Sequence, residues 1–176
     1  APYRGTYFQD KFRDSDFTMP SRHGRGHTPL FTGGRVFVEG MNGLRAVNAY
    51  NGRTLWEYPL PGIQTAFDQE HLVGTAATGS NFCTDGARIY IHTPETCHVL
   101  DAATGERLAE YTVPGGEGIW GYIAVEDGIL FGSEADTSHI VKWAYRQSEM
   151  NDLYTQSRRF FALDAATGEV QWTYEP

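Results

Sequence analysis

One phrase, written three times, constrains this chain more than any other feature. It reads Asp164-Ala165-Ala166-Thr167-Gly168-Glu169-Val170-Gln171-Trp172, then upstream Asp101-Ala102-Ala103-Thr104-Gly105-Glu106-Arg107-Leu108-Ala109, and first Asn48-Ala49-Tyr50-Asn51-Gly52-Arg53-Thr54-Leu55-Trp56. An Asx side chain hydrogen-bonds the amides just ahead of it, and the glycine supplies the positive φ of a tight turn. Each copy therefore predicts a strand ending at Asn48, Asp101 or Asp164, a turn through Gly52, Gly105 or Gly168, and a returning strand. Trp56 and Trp172 lie on returning strands, and Ala109 stands at that position in the middle copy.

The sequence around each phrase repeats as well. Val36-Phe37-Val38, Ile89-Tyr90-Ile91 and Leu130-Phe131-Gly132 precede the three turns, and Tyr58, Tyr111 and Tyr174 follow them in register. These strands are apolar on both faces, so both faces are buried. For antiparallel hairpins that means sheet stacked on sheet. One further strand fits upstream of each unit, near Thr28–Phe31, Gly79–Thr84 and Tyr122–Val125. Four antiparallel strands per unit, repeating at roughly 50 residues, predict the blades of a β-propeller. The fold class expected is all-β: about three four-stranded blades forming an incomplete ring.

The organisation that follows is residues 1–25 as an N-terminal extension or the remnant of a preceding blade, and 26–58 as blade 1. Blade 2 covers 72–113, and blade 3 covers 118–176 with an insertion over 134–159. Propellers have 4–8 blades. The remaining blades, or a second chain, are therefore expected to close the ring. The chain begins Ala1-Pro2-Tyr3 without an initiator methionine, which reads as a processed or excised piece of a longer protein.

The repeated pattern, Gly-x-hydrophobic-Tyr/Phe-hydrophobic followed by Ala-hydrophobic-Asp-Ala-x-Thr-Gly-x-x-x-Trp, resembles the repeats of pyrroloquinoline-quinone (PQQ) dehydrogenases. It also resembles those of their non-catalytic relative, the outer-membrane assembly lipoprotein. The resemblance spans about residues 26–176. It implies that Trp56 and Trp172 dock onto neighbouring blades, with Tyr111 taking that part where Ala109 replaces the indole. It also implies export, to the periplasm or beyond, in a bacterium.

The repeat marks a scaffold and not a chemistry. The quinone enzymes need a Glu/Asn/Asp calcium site, a catalytic Asp and a Trp platform, and no such constellation is legible. Asp101 and Asp164 read as turn residues. No Ser/His/Asp order, Cys-x-x-Cys-His haem motif or phosphate-cradling loop occurs. His23 and His27 are spaced four apart, but the intervening glycines deny a helix that would present both to a metal. No catalytic or metal residue is assigned, and no cofactor is expected in this segment. PQQ and Ca²⁺ enter only if the intact protein is a dehydrogenase. The readings left open are a binding or scaffold module, part of a quinone-dependent alcohol or sugar dehydrogenase, and a propeller hydrolase or lyase.

A formal net charge of -8 argues against nucleic acid or an anionic membrane as the partner. No apolar run reaches the length of a membrane span, and no secretory leader is legible. Cys83 and Cys97 have a spacing compatible with a disulfide. The repeat, however, puts them on strands separated by another strand and near opposite ends, about 9.6 Å or more apart.

Strand parity points to a face. The loop between a blade's second and third strands lies on the same side as the connections between blades. That loop is short at Glu39–Gly43 and His92–Thr96 but swells over 134–159, and the connection Pro59–Thr75 is also long. Long loops concentrate on this side, which is the expected recognition face for a protein or small-molecule ligand. Its candidates are Arg25, His27, Trp120, Tyr122, Trp143, Tyr145 and Arg146. The alternative for the insertion is a cover over a sheet edge, and its residues 142–154 have a helix-compatible composition.

Overall fold

The computed structural model describes residues 28–40, 43–61, 81–136 and 156–176. Within them lie twelve strands in three sheets. Blade 1 is β1 (Leu30–Thr32), β2 (Arg35–Gly40), β3 (Gly43–Asn48) and β4 (Thr54–Pro59). Blade 2 is β5 (Phe82–Thr84), β6 (Arg88–His92), β7 (Cys97–Asp101) and β8 (Arg107–Tyr111). Blade 3 is β9 (Trp120–Glu126), β10 (Ile129–Asp136), β11 (Gln156–Asp164) and β12 (Val170–Tyr174). Each sheet pairs its strands in sequence order, antiparallel throughout. The described first strands start at Leu30, Phe82 and Trp120, so β9 begins two residues before the expected Tyr122. A register shift between Gly132 and Glu134 absorbs the extra length. The β10–β11 connection, 137–155, lies outside the described residues, and with it the helix expected over 142–154.

The repeated phrase forms the same turn three times. Asn48 Oδ1 accepts from the amides of Tyr50 (2.9 Å) and Asn51 (3.2 Å). Asp101 Oδ1 accepts from Ala103 (2.9 Å) and Thr104 (2.8 Å), and Asp164 Oδ1 from Ala166 (2.9 Å) and Thr167 (2.8 Å). These amides hold the Asp101 and Asp164 carboxyls below the usual range, the threonine amide contributing most in each. The two aspartates are thus spent on the turns.

Alternation along each strand sends apolar side chains to both broad sides of blade 2. Ile89, Ile91 and Leu100 pack toward blade 1 with Phe37, Leu44, Ala46 and Trp56. Tyr90, Cys97 and Val99 pack toward blade 3 with Ile123, Leu130, Phe161 and Leu163. Each fully buried side chain of this size contributes about 1.5–3 kcal/mol relative to exposure, so the stack is held mainly by these two layers.

Specific contacts close each joint. The Trp56 indole donates to Ala102 O at 3.2 Å, and a Cβ on Gly105 would stand 2.6 Å from its ring. The hydroxyls of Tyr111 and Tyr90 both donate to Ala165 O, at 3.3 and 3.0 Å, with the Tyr111 ring over Gly168. The expected docking of Trp56, and of Tyr111 in place of Ala109, is therefore present. Trp172 differs: it is exposed on the outer side of blade 3, against Phe131 of its own blade at 6.3 Å.

Cys83 and Cys97 lie on β5 and β7, with β6 between them, and both are free thiols. They are not near opposite ends. Cys83 pairs across to Tyr90 and Cys97 to His92, two residues along the same strand.

Candidate functional site

The inner ends of the blades gather polar side chains that neither the turns nor the joints require. Equivalent register places Glu39 on β2 opposite Leu44, His92 on β6 opposite Cys97, and Ser133 on β10 opposite Phe160. All three lie two residues beyond Phe37, Tyr90 and Phe131, on the side where the second strands end and the first strands begin. Asn81, just before β5, and Trp120, which opens β9, lie beside them.

Blade 2 supplies the centre of this set. His92 N donates to Asn81 O at 2.9 Å, extending the β5–β6 ladder by one rung and drawing Asn81 fully inside. His92 Nδ1 lies 2.8 Å from Thr93 O. A carbonyl only accepts, so Nδ1 carries a proton. Thr93 itself is fixed by the tight β6–β7 hairpin, its amide donating to Thr96 O at 2.9 Å.

Blade 3 meets this hairpin through Trp120, whose amide donates to Pro94 O at 2.7 Å. The Trp120 ring stacks on His92 (5.9 Å, 27°) and takes Phe161 edge-on (5.1 Å, 75°). It is 2% exposed, and its indole N–H is buried without a hydrogen-bond partner. An unsatisfied buried donor of this kind costs about 1–3 kcal/mol. Neither side-chain atom of Asn81 reaches regular hydrogen-bond geometry either. The Asn81 amide is close enough to favour the charged form of Glu39, but burial outweighs it and pushes the Glu39 carboxyl up to about 8.

The rim of the same side is held by an ion pair. Arg159 bonds Glu134 through Nε (3.0 Å) and Nη2 (2.6 Å), and Nη2 also donates to Pro114 O at 2.6 Å. Arg159 thereby ties the β8–β9 connection to β11. Ser133 Oγ accepts from Tyr122 N at 3.0 Å, leaving the Tyr122 ring half exposed at this rim.

Of the residues expected on the recognition face, Trp120 and Tyr122 fall among the described residues, one buried and one exposed. Arg25, His27, Trp143, Tyr145 and Arg146 lie outside them. Sequence reasoning passed over Glu39, His92 and Ser133. Their signal was the repeat itself, since one register position carries a polar residue in all three units.

The quinone chemistry does not fit what is described. Among the described residues no group of three or more His, Cys, Asp or Glu comes together to hold a metal ion. Trp120 is enclosed by His92 and Phe161 and offers no open platform for a planar cofactor.

Three four-stranded antiparallel sheets, stacked broad side to broad side with their first strands grouped together, define a β-propeller segment of PQQ-like type. The family model described as outer membrane protein assembly factor BamB matches residues 17–127, and the chain belongs to that family. Among solved structures it is similar to quinohemoprotein alcohol dehydrogenase ADHIIG from Pseudomonas putida HK5, with 17% identity and a TM-score of 0.59, covering 90% of this chain and 22% of that one. The quinohemoprotein alcohol dehydrogenase from Comamonas testosteroni gives 20% identity and a TM-score of 0.58, with 88% and 21% covered. A europium-containing methanol dehydrogenase gives 12% identity and a TM-score of 0.56, with 90% and 35% covered. At these identities the likeness is one of fold. The chain spans between about a fifth and a third of the length of these structures. No curated protein matches it. Among the described residues no helix is long and apolar enough to cross a membrane.

Proposed function

We propose that this chain is a binding or scaffold module of a larger exported bacterial protein. Recognition would occur on the side where Glu39, Asn81, His92 and Trp120 converge and where the long connections emerge. The observation that carries this reading is the buried indole N–H of Trp120, which has no hydrogen-bond partner, on a ring stacked against His92. A fold that spends its aspartates, tyrosines and glycines on turns and joints has no structural use for such groups. The family description names outer-membrane assembly, which agrees with an exported, non-catalytic role.

The test has two arms. The connection 137–155 is replaced by a short turn, leaving β10 and β11 intact, and Trp120→Phe removes the indole donor while keeping an aromatic ring. Each variant is compared with the parent for partner capture from an envelope extract, and loss of capture with retained fold is the expected result. Titration with PQQ and Ca²⁺, followed by a dye-linked alcohol or sugar oxidation assay, addresses the dehydrogenase alternative. Binding together with turnover would overturn the scaffold reading. Cell fractionation of the host tests export, and a cytoplasmic protein would refute it.

A further inference from the structure

The joint between blades 1 and 2 holds a side chain with two competing partners. His98 on β7 faces blade 1, and its Nδ1 is hydrogen-bonded to Tyr58 Oη of β4 at 2.9 Å, the two rings meeting edge to face at 5.9 Å. Glu110, opposite His98 on β8, brings Oε1 to 3.7 Å from the same nitrogen. That is beyond hydrogen-bond reach but within the range of an ion pair. One ring nitrogen thus stands between a phenol of the neighbouring blade and a carboxylate of its own sheet.

The repeat shows what this register position accepts. Its equivalents are Arg45 in blade 1, opposite Glu57, and Phe161 in blade 3, opposite Thr173. Arg45 and Glu57 form an ion pair within their blade, so the strand pairing accommodates a cation bonded to the acid beside it. Phe161 is fully buried, so the same position also accommodates a neutral ring. Histidine is the side chain that passes between these two conditions near neutral pH. The joint between blades 2 and 3 has no such group at this position. There Tyr111, the counterpart of Tyr58, donates to Ala165 O, which does not titrate.

Among the described residues, blade 1 brings Tyr58 to His98, β6 brings Ile91, and β8 brings Glu110 with Arg107 paired to it. Arg107 also lies close enough to Tyr58 to favour its ionised form. Burial favours the neutral imidazole most strongly, Glu110 favours the imidazolium, and Arg107 opposes Glu110. The net effect holds the pKa below 6.5, so the ring is neutral at pH 7.5 and charges in mild acid. A charged N–H bonds a carboxylate more strongly than a phenol. We propose that His98 is a pH-operated switch in the joint: neutral, it bonds Tyr58 and ties blade 1 to blade 2; protonated, it turns to Glu110 and releases that tie. The switch is separate from the recognition residues, since His92 lies on the other side of blade 2 against Trp120.

The experiment is a pair of double-mutant cycles on the 176-residue chain, Tyr58→Phe with His98→Phe and Glu110→Gln with His98→Phe, measured by urea unfolding at pH 7.5 and pH 5. Contributions of other titrating groups, Glu39 among them, cancel within a cycle. The Tyr58–His98 coupling is expected to be about fivefold in the folding equilibrium constant at pH 7.5, the size of one hydrogen bond, and to vanish at pH 5. The Glu110–His98 coupling should do the reverse, near zero at pH 7.5 and about two- to fivefold at pH 5. Proton NMR titration of the His98 Cε1–H, assigned by its loss in His98→Gln, gives a readout that does not need His98→Phe to be stable. Glu110→Gln should move that titration to lower pH. Couplings of the same size at both pH values would overturn the proposal, as would a titration that Glu110→Gln leaves in place.

Discussion

Gly105→Ala tests whether the joints or the turns hold this stack. Gly105 has φ +76°, and alanine there costs about 1–2 kcal/mol for the left-handed backbone alone. Its new methyl would lie 2.6 Å from Trp56 Cδ2 and 2.7 Å from Cε3. Ordinary carbon contacts are about 3.5–4.0 Å, so the indole must retreat by about an ångström from the Ala102 carbonyl it bonds. Overpacking of that kind costs about 1–3 kcal/mol, giving a total near 2–5 kcal/mol. Gly128 provides the reference: φ is +75°, but a Cβ there would meet nothing within 4 Å. Gly128→Ala should cost the backbone part only. Urea unfolding, followed by both fluorescence and circular dichroism so that two-state behaviour is checked, measures both losses. In a Trp56→Ala background the cost of Gly105→Ala should fall to that of Gly128→Ala. Equal losses at the two glycines, or an unchanged cost without the indole, would refute docking as the source of stability.

Three further outcomes are expected. The folded Glu39 carboxyl titrates at about 8 against an ordinary value of 4.5, so the folded state binds more protons between those values and stability falls as pH rises through that window. Glu39→Gln should abolish the fall and be more stable than the parent above pH 8, by about 2 kcal/mol, less than the full shift implies because the side chain keeps some solvent contact; matching urea midpoints at pH 5 and pH 8.5 in the parent would contradict this. His98 Nδ1 and Tyr58 Oη are hydrogen-bonded at 2.9 Å across the joint between blades 1 and 2, with Glu110 at 3.7 Å and Arg107 paired to Glu110. Burial lowers its pKa below 6.5 despite Glu110. The unfolded state then binds the proton first, so stability present above 6.5 is lost as pH falls below it. His98→Phe, the residue that blade 3 carries in register as Phe161, should flatten that slope in a pH series of urea midpoints. Burial pushes the Cys83 thiol up to about 12 and Cys97 well above its ordinary value, so a disulfide-exchange reagent at pH 8 should label neither in the folded chain and both in urea. Rapid native labelling of either would show that blade 2 opens.

The turns and the stack were legible in the sequence because their causes are local. Asn48, Asp101 and Asp164 bond amides two and three residues ahead, and Gly52, Gly105 and Gly168 carry the positive φ that lets the chain return. The polar set at the inner ends was harder to read. Glu39, Asn81, His92 and Trp120 come from three blades, and each taken alone looks like an ordinary strand or loop residue. Only the register position shared by Glu39, His92 and Ser133 gives the set away. Asn81 and Trp120 sit at first-strand starts, and a two-residue uncertainty there moves a side chain to the other face or out of the strand.

What the sequence determined by itself was the unit: a Gly-punctuated antiparallel hairpin, apolar on both sides, written three times. Tertiary structure decided which broad side meets which. Ile89 and Ile91 turn toward blade 1 and Tyr90 toward blade 3, and the covered Trp56 differs from the exposed Trp172 only in having a blade beside it. The physical reason is that turn chemistry is fixed by residues within hydrogen-bond reach along the chain. Burial of a sheet face is set by whatever packs on it, and those atoms come from residues some fifty positions away.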